Sequence, residues 1–277
     1  MSPSGFHAMR QRNYNPKPGR YQGRARVSDD LLLASIKAVY QRSKGEYGWP
    51  RVWKALLRQG IPVGKDRVRR LMQQHNIVAK HKRKFRITTD SKHNLPVAPN
   101  RLERNFTANR PNQVWATDLT YLQTKDGWQY LVVFIDLYSR MIVGWSLANH
   151  MRSEMVVDAL RMAWFRRKQP RGVVVHSDRG SQYCGQLFQD TLKAYGMVSS
   201  MSRKGDCWDN APTESLWGKL KVARIHGEAL KSAEQTRHEV MDWIHFYNSE
   251  RLHSTLGYLS PMEFEKLAQI QPRGRAA

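Results

Sequence analysis

Cysteine is nearly absent from this 277-residue chain, with Cys184 and Cys207 its only two. Two thiols cannot build the disulfide framework of a small secreted domain, and no Cys/His cluster with zinc spacing accompanies them. Long apolar runs are missing too. No stretch approaches the roughly 18 residues of a membrane-spanning helix, and the opening residues lack the pattern of a secretory signal. These absences point to the cytosol. No glycine-rich loop ends in Lys-Ser or Lys-Thr, so nothing suggests use of ATP. Negative charge is also scarce: 23 Asp and Glu stand against 46 Lys and Arg, a formal net charge of +23. A polyanion is the partner such an excess serves most readily, with an anionic membrane surface as the competitor. The hydrophobic share of 40% suffices for one sizeable core and a smaller domain.

Among so few acids, three stand in informative settings. Asp118 lies inside the alternating, β-branched and aromatic run Gln113 to Leu122, which reads as a strand. A carboxylate there costs several kcal/mol unless a cation, a metal or a set of donors faces it. Asp178 follows the short buried-strand run Val173-Val174-Val175-His176 and precedes Arg179-Gly180, so it sits at a strand's carboxyl end, where α/β sheets bind ligands. Glu214 comes two residues after Pro212 and projects from the start of a helix that runs through Leu216, Leu220 and Ala223. Lys221 follows it by seven residues on the same helix face. Oxygen donors with no His or Cys nearby suit Mg²⁺ or Mn²⁺, and two such ions about 3.5–4 Å apart support in-line phosphoryl displacement. Each acid alone reads equally well as a cap or a surface ion pair.

The chain divides by composition. Residues 1–27 are basic and rich in Pro and Gly, without periodicity, and read as a mobile arm. Residues 28–79 read as three helices: one capped at Ser28, one opened by Pro50 with Val52, Trp53, Leu56 and Leu57 inward, and one with Val68, Leu71 and Met72 inward. The third leaves Lys65, Arg67, Arg69 and Arg70 outward, as a helix-turn-helix entering a DNA groove would, although a plain three-helix packing unit fits the same pattern. Residues 80–112, with Lys82, Arg83, Lys84, Arg86 and three prolines, read as a basic linker tracking a phosphate backbone or as a solvated connector. Residues 113–265 show three strands, with a hairpin at Asp126-Gly127, and then alternating helix and strand, which is α/β with a mixed sheet. A helix from about Ala233 to Ser249 is expected to pack Val240, Trp243, Ile244, Phe246 and Tyr247 on that sheet, and residues 266–277 form a tail. Asp136 is a fourth candidate acid, or a structural partner of Arg140. His176 is a candidate base or a packed strand end, and Lys219 a DNA contact or a solvated lysine. Arg251 and His253 are placed to reach phosphates. Trp208, in a turn-rich loop, is either a base-stacking residue or a core residue.

Four ordered words carry a resemblance: Trp115 to Tyr121, His176 to Tyr183, Asp209 to Ser215, and Tyr247 to Tyr258. With 35 residues between Asp178 and Glu214, they resemble the second-frame proteins of insertion-sequence-three-type transposases, within the DDE integrase and transposase superfamily, from about residue 30 to 265. The resemblance implies an RNase H-like five-stranded mixed sheet behind a small helix-turn-helix domain, with Asp118, Asp178 and Glu214 as ligands of two Mg²⁺ or Mn²⁺ ions and Lys221 touching DNA near the reacting phosphate. Retroviral integrases carry an amino-terminal zinc module, whereas His75, His81 and His93 have no Cys before Cys184, so the resemblance follows the bacterial branch. The implied partners are double-stranded DNA, at least one further copy of the chain and an upstream-frame protein or fusion, in the bacterial cytosol. A nuclease that never joins strands and a non-catalytic DNA-binding regulator share the charge and stand as rivals.

Overall fold

The structure, a computed structural model, describes residues 27–80, 95–203, 211–225 and 229–270. The first described unit is helical: α1 (Asp29–Arg42), α2 (Trp49–Arg58) and α3 (Lys65–Gln74). Ser28 caps α1 by accepting from the Leu31 amide, and Asp29 and Asp30 place negative charge at the helix's positive end. Leu32, Ile36, Val39, Val52, Leu56, Val68, Leu71 and Met72 meet in one core. Leu57, expected inward, is 38% exposed, because Leu56 takes the single inward position at that turn. Asp29 also gathers Arg67 and Arg70 of α3, which ties the first and third helices together.

The larger unit is a five-stranded mixed sheet in the order β3-β2-β1-β4-β5. Its strands are β1 (Val114–Thr124), β2 (Gly127–Asp136), β3 (Ile142–Ala148), β4 (Val174–Ser177) and β5 (Val198–Met201). β1 to β3 form an antiparallel meander, and the first hairpin closes at Thr124 and Gly127, whose φ of +110° favours glycine. β4 and β5 add in parallel. One face packs on α4 (Ser153–Arg166), the single turn α5 (Ser181–Cys184) and α6 (Gln186–Ala194) through Trp115, Phe134, Val143, Leu160 and Phe188. The other face packs on α7 (Ala211–Arg224) and α8 (Ala233–Ser249) through Leu122, Val133, Ile135, Leu220 and Trp243. Period-2 alternation makes this sandwich, since odd positions of β1 feed the first core and even positions the second. No helix among the described residues is long and apolar enough to cross a membrane.

Several expectations change on contact with the structure. Asp136 is fully buried, but its partner is Arg167 of the segment after α4, at 3.1 Å, and not Arg140. Two backbone amides, of Asn112 and Tyr138, also donate to it. The described part of the expected linker is no solvated connector: Leu102 is buried with Val114, Ala116 and Leu137, and the Arg101 amide donates to Ser200 at 3.0 Å. Lys82, Arg83, Lys84 and Arg86 lie outside the described residues, as do residues 1–26 and Trp208. Phe246 turns away from the sheet and joins the helical unit beside Tyr47. A last helix, α9 (Pro261–Ile270), runs past residue 265, where the core was expected to end.

The helical unit and the sheet unit are clasped by the segment that follows α8. Glu46, in the turn between α1 and α2, accepts from Trp243 Nε1 and from Arg251 Nε, both at 3.1 Å. Tyr47 Oη accepts from the Leu252 amide at 2.8 Å, Arg51 Nε donates to the Leu252 carbonyl at 2.9 Å, and Arg58 pairs with Glu263.

β3 and α4 approach each other closely at Gly144, where an added Cβ would collide with the Ala159 carbonyl oxygen and with Ala163. Backbone cannot yield as a side-chain tip can, so Gly144→Ala is expected to cost about 3 kcal/mol or more of stability. Urea unfolding measures it; an unchanged midpoint would show that α4 can slide.

Candidate active site

The register of two strands sets the site. β1 and β4 run parallel with Ala116 opposite His176. Asp118, in the middle of β1, and Asp178, just past the end of β4, each lie two residues further along, and the two carboxylates are close enough to repel each other. The Asp118 face of β1 is the one covered by α7. Asp178 lies one residue beyond β4, where its Oδ1 accepts from the Gly180 amide at 2.9 Å and fixes the turn into α5.

α7 docks on β1 through a bond that the sequence reading did not single out. Trp217 Nε1 donates to Asp118 Oδ2 at 2.9 Å, while Asp118 Oδ1 accepts from the Leu119 amide at 2.8 Å. Trp217 is itself 4% exposed, three residues on from Glu214, so the helix that carries the third acid is anchored to the first. The spacing of these residues one turn apart is a signal that sequence alone offered. Glu214 is exposed on the first turn of α7, close enough to raise the Asp118 pKa.

Electrostatically the carboxylates of the site repel one another. Burial, then repulsion from Asp178, then from Glu214, push the Asp118 carboxyl from 3.8 up to about 8, against the opposing hydrogen bonds from Trp217 and Leu119. Tyr183, fully buried beneath, has its hydroxyl held well above the ordinary range by burial and then by the two Asp residues. Oxygen-only donors that repel one another suit a hard dication, whose charge would reverse these shifts. The Asp118 and Asp178 pair fits such an ion. Among the described residues no set of three or more His, Cys, Asp and Glu stands close enough to hold one, so Glu214 is a neighbour of the pair and not yet a member of a closed cage.

The other expected residues divide by burial. Lys221 is 7% exposed and sits over the Tyr121 ring, its Nζ 4.7 Å from the centroid; burial lowers its pKa to about 8 against the attraction of Asp118. Lys219 is half-buried and donates to Ser215 Oγ at 2.9 Å. Arg251 is 3% exposed in the seam between the two units, and His253 5%. His176 is buried, its Nδ1 bonded to Ser200 Oγ at 2.9 Å, which makes it a packed strand end. On the helical unit Lys65, Arg69 and Arg70 are exposed, whereas Arg67 is half-buried and donates to both Asp29 and the Val27 carbonyl.

Comparison with known proteins places this geometry. Residues 28–85 match the family model of an HTH-like domain, and residues 108–207 and 195–261 match two models described as integrase core domain. The chain is 46% identical over 231 residues to "Transposase InsF for insertion sequence IS3A" of Escherichia coli (strain K12), covering 83% of this chain and 80% of that protein. It is 43% identical over 245 residues to "Insertion element IS600 uncharacterized 31 kDa protein" of Shigella sonnei, covering 88% and 90%. Among solved structures, the intasome of simian T-cell lymphotropic virus is similar in fold, with a TM-score of 0.51 at 14% identity, over 88% of this chain and 78% of that one.

The raised Asp118 pKa has a consequence for stability. Between pH 4 and 8 the fold holds a proton that the unfolded chain releases, so Asp118's contribution is full at low pH and is lost as pH rises through the folded value. Chemical denaturation in a chelator at several pH values is expected to show stability falling across this window, and Asp118→Asn is expected to flatten the decline. Equal slopes for the two proteins would refute the repulsive pair.

Proposed function

The chain belongs to the insertion-sequence transposases with an integrase core, and from that membership we propose that Asp118, Asp178 and Glu214 are the acids with which it cuts and joins DNA strands. The observation that carries the proposal is the β1–β4 register with Ala116 opposite His176, since no rearrangement of surface side chains is needed to bring the two Asp residues together. Asp118, Asp178 and Glu214 would hold Mg²⁺ or Mn²⁺, two ions per site, which when bound supply an activated attacking oxygen and charge neutralisation at the departing one. The protein's own share is position. Trp217 and the Leu119 amide fix both oxygens of Asp118, and the Gly180 amide fixes one of Asp178. Lys221, held against Tyr121, keeps a cation near the carboxylates, where a scissile phosphate would meet it.

The reaction proceeds as two displacements at phosphorus. In the first, water forms a new P–O bond as the bond to the 3′ oxygen breaks, leaving a free 3′ hydroxyl at the element end. In the second, that hydroxyl attacks a phosphodiester of the target, forming one P–O bond as another breaks. One ester bond replaces another in the joining step, so neither ATP nor a covalent protein intermediate enters. The helical unit would supply duplex binding through exposed Lys65, Arg69 and Arg70, joined by Lys82, Arg83, Lys84 and Arg86. At least two copies would assemble on paired element ends, with or without an upstream-frame partner.

Asp118→Asn, Asp178→Asn and Glu214→Gln are each expected to lower strand cleavage at least about 10³-fold while duplex affinity stays within a few-fold. Mg²⁺ is expected to raise the unfolding temperature of the parent protein and not of Asp118→Asn. Retained cleavage in any variant would remove that acid from the mechanism. Joining of pre-cleaved ends in a strand-transfer assay separates this function from that of a nuclease.

A further inference from the structure

Where the helical unit meets the core there is a cavity of about 450 Å³ whose charged lining is Arg51, Lys80, Lys219 and Arg251 against Glu46 and Glu214. Among the described lining residues, four cations face two acids. Glu46 is already committed to Trp243 and Arg251, with the Arg224 guanidinium 3.9 Å away. Arg251 is 3% exposed, and its Nη1 is a buried donor that finds no acceptor among the described residues. Such a group costs about 1–3 kcal/mol, more when charged, and chains seldom keep one without a use. Nearby, the buried His253 also leaves its Nε2 without a partner among the described residues. The ammonium of Lys219 is brought down to about 7 by burial and then by Arg251, Arg51 and Arg140, so cations crowd one another here. Arg51 and Lys219 reach the cavity from opposite units, one on α2 and the other on α7.

We propose that this cavity is a phosphate-binding site, with Arg51, Lys219 and Arg251 as its ligands. A phosphate oxygen supplies the acceptor that Arg251 Nη1 lacks, and its charge relieves the repulsion among the three cations. Glu214 lines the same cavity, and, resting on its reading as an active-site acid, the phosphate held is that of a DNA backbone close to the bond being cut. Because the ligands come from both units, the anion also reinforces the clasp between the DNA-binding helices and the core. A free inorganic phosphate would satisfy the same chemistry.

Lys219→Gln tests the site, since Lys219 bonds Ser215 on its own helix and the Glu46–Arg251 clasp is left in place. Should that variant not fold, Arg51→Gln takes its place. Both are made in the full chain carrying Asp118→Asn and measured without divalent metal, so the outcome does not depend on whether the acids catalyse. If the ligand is a backbone phosphate, the slope of log affinity for duplex DNA against log salt becomes shallower by about 0.9 in the variant. If it is a free anion, inorganic phosphate at matched ionic strength raises the unfolding temperature of the parent and not of the variant, with the slope unchanged. An unchanged slope together with equal response of both proteins to phosphate overturns the proposal.

Discussion

Parallel pairing of β1 with β4 is the constraint on which the site depends. Two acids sixty positions apart in sequence become neighbours because Ala116 faces His176 across the ladder and side chains repeat every second residue. A one-residue slip in that register would send one carboxylate to the apolar face of Trp115 and Phe134 and separate the pair. The burial of Ala116, Val175 and His176 on the central strands makes such a slip costly. Function and folding therefore rest on the same hydrogen-bonded ladder, and the electrostatic stress at Asp118 is tolerated because the surrounding cores hold the strands in place.

The helix carrying Glu214 is positioned by a different means. α7 lies across the even-numbered face of β1 with Leu216 and Leu220 in the core, and Trp217 bonds Asp118 directly. Rigid attachment of the helix to the strand, one turn after its first acid, lets the Glu214 end remain exposed without loss of registration. Such a division between an anchored stem and an open tip leaves the Glu214 end of the site open to solvent while its stem is held in place.

The segment after α8 does the work of a clasp. Its Arg251, Leu252 and His253 are buried beside Tyr247 of α8, and Glu46 is the acid about which the arginines and Trp243 gather. Among the described residues positive charge is exposed on α3, where it is solvated, and enclosed at the seam, where it costs free energy unless an anion accompanies it.

Much of this was legible in the residues themselves. Alternation identified β1 to β3 and the acid on β1, the Ser28 cap and Pro50 marked the first helices, and the short apolar runs marked β4 and β5, since these follow from local stereochemistry and solvent exclusion. What periodicity cannot report is which buried charge meets which. Asp136 looked to Arg140, four residues away, and found Arg167 instead, because the sheet carries residue 140 elsewhere while the end of α4 returns beneath β2. Lys221 and Arg251, expected to contact DNA, lie buried against Tyr121 and Glu46, surroundings that their sequence neighbours do not announce. The amino-acid order by itself determined most of the elements and the family, and it singled out three acids as candidates. Only the tertiary structure decided the neighbours of each charge, because Coulombic and hydrogen-bonding partners are chosen by distance in space, which local sequence does not encode.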